Sequence, residues 1–254
     1  MKRTVLLLSG IMVMSCTSQQ KKLVYPETTK VDTIDVYFGT EVPDPYRWLE
    51  NDTSAATAAW VEAENKVTNA YLAQIPFREQ LLKRLTDLAN YEKIGTPFKK
   101  HGKYYFYKND GLQNQSVLYV QDSLDGEARV FLDPNQLSDD GTVALTSLSF
   151  SNDGKYTAYT ISRSGSDWSE IYVMDTATGK LLEDHINWAK FTGAAWQKDG
   201  FYYSAYDAPT KGKEFSNVNE NHKIYYHKIG TPQAEDKLIY ENPAYPKRFY
   251  SAGT

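Results

Sequence analysis

The sequence contains a single cysteine among its 254 residues, Cys16, so it can form no internal disulfide. It also lacks any long run of lysine and arginine, and its formal net charge is −4. Because binding to a nucleic acid depends on clustered positive charge, we expect no nucleic-acid partner. The apolar stretch over residues 4–14 is shorter than the roughly 20 residues that a transmembrane helix needs.

A nucleophilic serine of the α/β-hydrolase type is also missing from the sequence. Such a serine lies in a Gly-x-Ser-x-Gly run, because its strained turn needs small neighbours. The nearest cluster of serine and glycine, residues 164–167, reads Ser-Gly-Ser-Asp and lacks the second glycine. We therefore expect no catalytic residue in this chain.

Metal-binding patterns are equally scarce. His222 and His227 are five residues apart on an expected strand and should point to opposite faces, which argues against a shared metal ion. We expect the four histidines to be exposed and structural. The runs Asp139-Asp140-Gly141 and Asn152-Asp153-Gly154 lack the further oxygen ligands of a calcium loop and are expected to be turns. The expectation is therefore no metal and no cofactor.

The sequence instead carries a repeat. Tyr119, Tyr172 and Tyr225 lie at the same place in three similar runs, with spacings of 172−119 = 53 and 225−172 = 53 residues. A turn glycine precedes each run: Gly102, Gly154 and Gly200. A period of roughly this length with about four strands per unit is typical of β-propeller blades.

Each unit contains short runs of β-branched and aromatic residues bounded by Gly, Asp, Asn and Pro, which is typical of antiparallel strands. The units cover residues 97–132, 145–183 and 193–240, and residues 247–254 would begin a fourth. The expected fold class is mainly β, with an incomplete β-propeller over residues 93–254. Propeller blades cover one another around a closed ring, so we expect an incomplete ring to be unstable alone.

An α-helical segment, residues 17–92, precedes the expected propeller. Asp52 or Thr53 can cap a helix in which apolar residues recur at helical spacing as far as Ile75, where a proline follows. A second helix is expected over Arg78–Ala89, with three leucines on one face. Both helices present apolar stripes that need a partner.

The first 16 residues have the features of an export signal. Lys2-Arg3 precedes the apolar stretch, and Val13-Met14-Ser15-Cys16 resembles the cleavage box of bacterial lipoproteins, in which the cysteine carries the lipid. This predicts an exported protein of the bacterial cell envelope, either periplasmic or anchored to the membrane through Cys16. The alternative is an ordinary secretory leader that happens to contain a cysteine.

Several motifs carry a resemblance to a family of serine peptidases. Residues 44–50, Asp-Pro-Tyr-Arg-Trp-Leu-Glu, and the alanine-rich run after them resemble the opening of the prolyl oligopeptidase family. Further matches follow along the chain: residues 111–115, 117–122, 127–134, 137–145 and 164–168. The similarity extends from about Tyr25 to Thr254. Unrelated propellers would share the Asp-Gly turns but not Gly-Leu-Gln-Asn-Gln or Gly-Ser-Asp-Trp.

The resemblance implies a serine endopeptidase that cleaves short peptides on the carboxyl side of proline. In the family an amino-terminal helical segment packs on an α/β-hydrolase domain, and a seven-bladed propeller follows. The rest of the hydrolase domain, with its serine, aspartate and histidine, comes last. The resemblance thus implies a partial seven-bladed propeller of about three blades plus the start of a fourth. Without its hydrolase domain, such a chain would be inactive alone.

The resemblance also implies two substrate-binding residues. In the family an aromatic side chain of the propeller lines a nonpolar subsite, and Phe191 falls on that position. Phe249 maps to a second lining position, where this sequence departs from the family's usual residues. The alternative is that both rings pack between blades. Two functions therefore remain: part of an exported proline-specific peptidase, or a non-catalytic, lipid-anchored propeller that binds partners.

Overall fold

The computed structural model describes residues 22–215 and 217–254. The expected export signal and Cys16 lie outside the described residues. The described chain forms two compact units, one ending at Gln80 and one from Leu81 to Thr254. Within residues 22–215 and 217–254, no helix is both long and apolar enough to cross a membrane.

The first unit begins with a β-hairpin that is absent from the sequence-based expectations. Strands β1 (Ile34–Tyr37) and β2 (Thr40–Pro43) pair antiparallel around Phe38 and Gly39, whose φ angles are 52° and 83°. Two central residues with positive φ form the tight turn that matches the twist of paired strands. A 3-10 turn, Arg47–Glu50, then follows.

Helix α1 (Ala55–Leu72) is capped by Ser54. The Ser54 hydroxyl accepts the backbone N–H of Thr57 at 3.1 Å, which satisfies a donor of the first helical turn. The expectation of a cap at Asp52 or Thr53 is therefore wrong.

Helix α2 (Arg78–Ala89) has the bounds that the sequence predicts. It begins two residues after Pro76, which cannot donate the backbone hydrogen bond that a continuing helix needs. The leucines of its apolar face are exposed: Leu81, Leu85 and Leu88.

The second unit contains two antiparallel sheets. The strands of the first sheet are β3 (Lys93–Ile94), β4 (Phe98–Lys100), β5 (Lys103–Asn109), β6 (Val117–Gln121) and β7 (Arg129–Leu132). Their order is β3-β5-β6-β7, with β4 paired to β5. Strands β4 to β7 correspond to the first predicted repeat.

The second sheet holds the second and third repeats. The second repeat comprises β8 (Val143–Phe150), β9 (Tyr156–Arg163), β10 (Trp168–Asp175) and β11 (Leu181–Lys190). The third comprises β12 (Ala195–Gln197), β13 (Gly200–Ala205), β14 (Lys223–Lys228) and β15 (Lys237–Tyr240). The order is β15-β14-β13-β11-β10-β9-β8, with β12 paired to β13.

Strand β11 is longer than the sequence predicts. The expected strand ends at Glu183, whereas the observed strand continues to Lys190. Near this end Ala189 pairs with Ala205, the last residue of β13, and so joins the second repeat to the third in one sheet.

The repeating tyrosines occupy equivalent positions. Each lies in the third strand of its repeat and stacks on an aromatic partner directly across the strand pair. The ring centroids are 5.6 Å apart in all three pairs, with interplanar angles of 15°, 18° and 22°: Phe106–Tyr119, Tyr159–Tyr172 and Tyr203–Tyr225. The 53-residue sequence period is therefore also a structural period.

The first and second repeats pack together through an aromatic core. The buried Tyr105 ring lies 5.1 Å from Phe131 and 4.8 Å from Phe150, measured between ring centroids. The amide of Gln115 also bonds to the backbone of β8 through both its nitrogen and its oxygen, at 2.7 and 2.9 Å. Burial of each repeat against the next is how propeller blades are stabilised.

The two expected turns are formed by local hydrogen bonds. The Asp153 carboxylate accepts the backbone N–H of Lys155 at 3.0 Å. The Asp140 carboxylate accepts both the backbone N–H and the hydroxyl of Thr142, at 3.0 and 2.8 Å. Aspartate side chains commonly close turns in this way.

Candidate functional site

Aromatic side chains from distant parts of the chain meet at one end of the central strands of the second sheet. We call this strand-end border of the sheet its edge. Strand β10 begins, β11 ends, β13 ends and β14 begins at this edge, because neighbouring antiparallel strands alternate in direction. Residues next to these strand ends therefore meet. We call the group the edge cluster, and it comprises seven residues: Trp168, Trp188, Lys190, Phe191, Tyr206, His222 and Phe249.

The structure brings Phe191 and Phe249 together. Their ring centroids are 5.7 Å apart, and the rings are inclined at 50°. Within this chain Phe191 is 54% exposed and Phe249 is 69% exposed. Offset aromatic pairs at such distances are favourable, and an exposed pair offers a ready apolar surface to a ligand.

The backbone at this edge is strained. Phe191 has a φ of 54° and Trp188 a φ of 58°, in the left-handed region that bulky residues rarely adopt. Such a conformation costs about 1–3 kcal/mol and persists only where the surroundings hold it in place. Beyond Phe191, the Thr192 hydroxyl accepts the backbone N–H of Ser204 at 3.0 Å and so fixes this segment to β13.

His222 connects the backbones beside both phenylalanines. Its Nε2 donates to the carbonyl of Lys190 at 3.2 Å, and its Nδ1 accepts the backbone N–H of Tyr250 at 3.0 Å. Because Nδ1 accepts, the ring proton is on Nε2 and the imidazole is neutral. Burial lowers the pKa of His222, and the bond to the Lys190 carbonyl opposes this only in part. At 1% exposure, the residue contradicts the expectation of an exposed histidine.

Lys190 places a positive charge within the cluster. Its ammonium lies 4.6 Å from the ring centroid of Trp168 and 5.5 Å from that of Phe191. These distances are within the range of cation–π attraction. The residue is only 6% exposed.

A cavity of about 300 Å³ opens beside Trp168. The rings of Trp168 and Trp188 meet edge to face, with centroids 5.4 Å apart at 89°. The indole N–H of Trp168 donates to the carbonyl of Glu214 at 2.8 Å, which ties the connection between β13 and β14 to the second repeat. The lining includes six side chains: Arg163, Trp168, Glu170, Trp188, Glu214 and Phe215.

Glu170 supplies a fixed negative charge to this cavity. Burial alone would raise its pKa, but hydrogen bonds to Arg163, Tyr172 and His185 outweigh burial and hold the pKa at about 2. A carboxylate with so low a pKa stays ionised at neutral pH and is poorly suited to act as a general acid. We therefore regard Glu170 as structural.

His227 forms a second buried histidine network. Its Nδ1 lies 2.7 Å from Asp236 Oδ1 and its Nε2 lies 2.9 Å from Asp184 Oδ1. Burial would lower the pKa of His227, but the bonds to these two carboxylates outweigh burial and raise it. With both ring nitrogens bonded, the side chain has no free nitrogen to act as a base. At 0% exposure it also contradicts the expectation of an exposed histidine.

The serine and glycine cluster at residues 164–167 forms a loop between β9 and β10. The Ser166 hydroxyl accepts the backbone N–H of Trp168 at 3.0 Å, so this hydroxyl is used by the loop itself. Among residues 22–215 and 217–254, no three histidine, cysteine, aspartate or glutamate side chains are arranged to hold a metal ion.

Phe191 and Phe249 were predicted from the sequence, whereas the residues that support them were not. Trp168 belongs to the Gly-Ser-Asp-Trp motif and Lys190 directly precedes Phe191. Both residues therefore drew attention only through the family resemblance, not through a pattern of their own. His222 gave no signal of its own, because its partners at Lys190 and Tyr250 are 32 and 28 residues away.

Three successive repeats of four antiparallel strands, the first packed against the second and the second joined to the third, are the repeating units of a β-propeller. The family model described as "Prolyl oligopeptidase, N-terminal beta-propeller domain" matches residues 26–254. The chain belongs to this family, which confirms the resemblance drawn from its motifs.

Similar proteins include prolyl endopeptidases. The chain is 53% identical over 232 residues to the prolyl endopeptidase of Elizabethkingia meningoseptica, an alignment that covers 91% of this chain and 33% of that protein. It is 35% identical over 258 residues to the dual function macrocyclase-peptidase POPB of Galerina marginata, covering 91% of this chain and 35% of the relative.

A solved structure shares the fold. Prolyl oligopeptidase B from Galerina marginata, bound to a 35mer hydrolysis and macrocyclization substrate, aligns with a TM-score of 0.77 and 33% identity. The alignment covers 91% of this chain and 35% of that one. The chain thus spans about a third of the length of the relatives that it matches.

Proposed function

We propose that this chain forms the amino-terminal and propeller portion of a prolyl oligopeptidase, a serine endopeptidase that cleaves short peptides after proline. The family match and the third of each relative's length that the chain covers support this assignment. The observation that carries it is the exposed pair of Phe191 and Phe249 at one edge of the sheet. Apolar ring surfaces of this kind suit the nonpolar residues of a proline-containing peptide.

In the proposed enzyme, the three repeats are blades of a seven-bladed propeller, and residues 247–254 begin a fourth. The amino-terminal helical segment would pack on an α/β-hydrolase domain. The exposed leucines of α2 would be buried in that contact. That domain would supply a serine nucleophile, a histidine general base and an aspartate that orients it, for acyl transfer. The role of this chain is to bind and orient the peptide and to restrict access to it.

The proposal includes export to the bacterial cell envelope through residues 1–16, with lipid attached at Cys16. Its support is the sequence of the segment and the absence of another cysteine. Metabolic labelling with an alkynyl palmitate should mark the wild-type chain and leave Cys16→Ser unlabelled. Labelling of both, or of neither in a lipoprotein-processing host, would contradict the anchor.

The catalytic assignment is tested with a chimera. Residues 26–254 replace the matching part of the Elizabethkingia meningoseptica prolyl endopeptidase, and hydrolysis of benzyloxycarbonyl-Gly-Pro-aminomethylcoumarin is measured. We expect turnover by the chimera and none by the 254-residue chain alone. A folded but inactive chimera would instead favour a non-catalytic, lipid-anchored binding module.

A further inference from the structure

The ammonium group of Lys190 is the part of the edge cluster that an apolar subsite does not explain. The residue is 6% exposed, and its charge lies between the rings of Trp168 and Phe191. Removing a charge from water is unfavourable unless it finds a partner of opposite sign. If this surface bound only apolar groups, an uncharged side chain at position 190 would avoid that cost.

The pairing of this ammonium within the described chain is incomplete. Asp167 Oδ2 lies 3.9 Å away, within the range of an ion pair but beyond hydrogen-bond distance, and the Asp167 side chain is 70% exposed. Lys223 in the same sheet provides a contrast, because its ammonium lies 2.5 Å from Asp207. An ammonium carries three donors, so Lys190 retains donors for an oxygen acceptor supplied by a ligand.

We infer that Lys190 binds a carboxylate of the peptide whose apolar group lies on the Phe191–Phe249 pair, and so gives the subsite a preference for acidic peptides. This inference rests on the proposed function. The 5.5 Å between the ammonium and the Phe191 ring places the two contacts side by side, so neighbouring residues of one peptide reach both. In the absence of peptide, Asp167 occupies the approach to the ammonium at longer range.

The environment of Lys190 favours a carboxylate over a neutral carbonyl. The ammonium can donate a charge-assisted hydrogen bond to either acceptor, but only a carboxylate adds the attraction of a full opposite charge. The rings of Trp168 and Phe191 partly shield the ammonium from water, which strengthens its attraction to an opposite charge. Asp167 already shows the kind of group that approaches this charge.

The inference is tested with two acetylated, amidated peptides that differ only in charge, Phe-Glu-Pro and Phe-Gln-Pro. Their binding to the chimera that carries residues 26–254, with its nucleophilic serine replaced by alanine to prevent cleavage, is measured by calorimetry and by tryptophan fluorescence, and folding is checked by near-ultraviolet circular dichroism. We expect the glutamate peptide to bind about tenfold more tightly. Lys190→Met should remove the difference, and Lys190→Arg should keep it.

Two further variants sharpen the comparison. Asp167→Asn should increase the preference for the glutamate peptide, because it removes the competing carboxylate. Lys155→Met is the matched control, since Lys155 also lies over an aromatic ring, 4.8 Å from Tyr156, but at the opposite end of the strands. That control should leave the preference unchanged.

The outcomes separate the inference from the proposed function. Equal binding of both peptides by the chimera with Lys190 intact, or an undiminished preference in its Lys190→Met variant, would overturn the role of Lys190 and leave peptide binding intact. Failure of the folded chimera to bind either peptide would overturn peptide binding by this edge, and the inference with it.

Discussion

The imidazole of His222 donates to the backbone carbonyl of Lys190, 32 residues earlier in the chain, at 3.2 Å. The same ring accepts the backbone N–H of Tyr250. Lys190 precedes Phe191 and Tyr250 follows Phe249, so one buried side chain fixes the backbone next to each ring of the exposed pair. His222 is therefore a positioning residue for the candidate subsite.

Replacing His222 should destabilise the chain by about 1–3 kcal/mol, because a buried backbone N–H and a carbonyl would lose their partner. We expect this for His222→Ala in urea unfolding followed by tryptophan fluorescence. His101→Gln is the control, since His101 is exposed. A loss no larger than that of the control would contradict the bridging role.

Acidic pH should weaken the same bridge. The pKa of His222 in the folded chain is below the ordinary value of 6.5, so its contribution to stability is complete above pH 6.5 and is lost as the pH falls through the folded pKa. The wild-type unfolding free energy should therefore decline from pH 6.5 downward more steeply than that of His222→Ala. Parallel pH profiles for the two proteins would count against this explanation.

His227 should show the opposite dependence on pH. Its pKa is raised above 6.5, so its contribution is complete below pH 6.5 and is lost as the pH rises through the folded pKa. Removing one partner of a buried ion pair costs about 3–5 kcal/mol, and we expect a loss of this size at pH 6 for His227→Gln. The difference between wild type and variant should shrink in alkaline solution, and a constant difference would contradict the charged network.

The start of β13 leaves no room for a side chain at Gly200. A Cβ atom there would lie 1.9 Å from the carbonyl oxygen of His227 on the paired strand, closer than any nonbonded contact allows. We expect Gly200→Ala to destabilise the chain by about 2 kcal/mol or more, because the β13–β14 pairing must shift. Gly253→Ala is the matched control, since no atom lies within 4 Å of its added Cβ. Equal thermal unfolding midpoints for the two variants would show that a side chain at position 200 does not clash with His227.

The repeat was predictable from the sequence because its cause is local. The turn residues in each unit reverse the chain direction, and the short β-branched and aromatic runs between the turns form the successive strands. The equivalent placement of Tyr119, Tyr172 and Tyr225 follows from this period. Helix α2 was equally predictable, since Pro76 sets its start.

The edge cluster was only partly predictable because it depends on contacts between distant residues. Phe191 and Phe249 were selected through the family resemblance, and their role in substrate binding stays a prediction. His222 was expected to be exposed, and this was wrong. The alternation of side chains along a strand assigns His222 to one face, but it does not show that the segment around Tyr250 covers that face. The extension of β11 to Lys190 was also missed. It pairs mainly with β10 of its own repeat, from Tyr172↔His185 to Trp168↔Lys190, and with the next repeat only at Ala205.

The most direct test of the account is the Michaelis constant of the chimera with Phe191→Ala. Loss of an apolar contact that binds substrate and transition state alike should raise KM about tenfold and leave kcat nearly unchanged. Leu124→Ala is the control, because Leu124 is similarly exposed, at 59%, but lies in the turn between β6 and β7. A raised KM in Phe191→Ala alone is the predicted result, and an unchanged KM in that variant would contradict the assignment of this edge as the peptide-binding subsite.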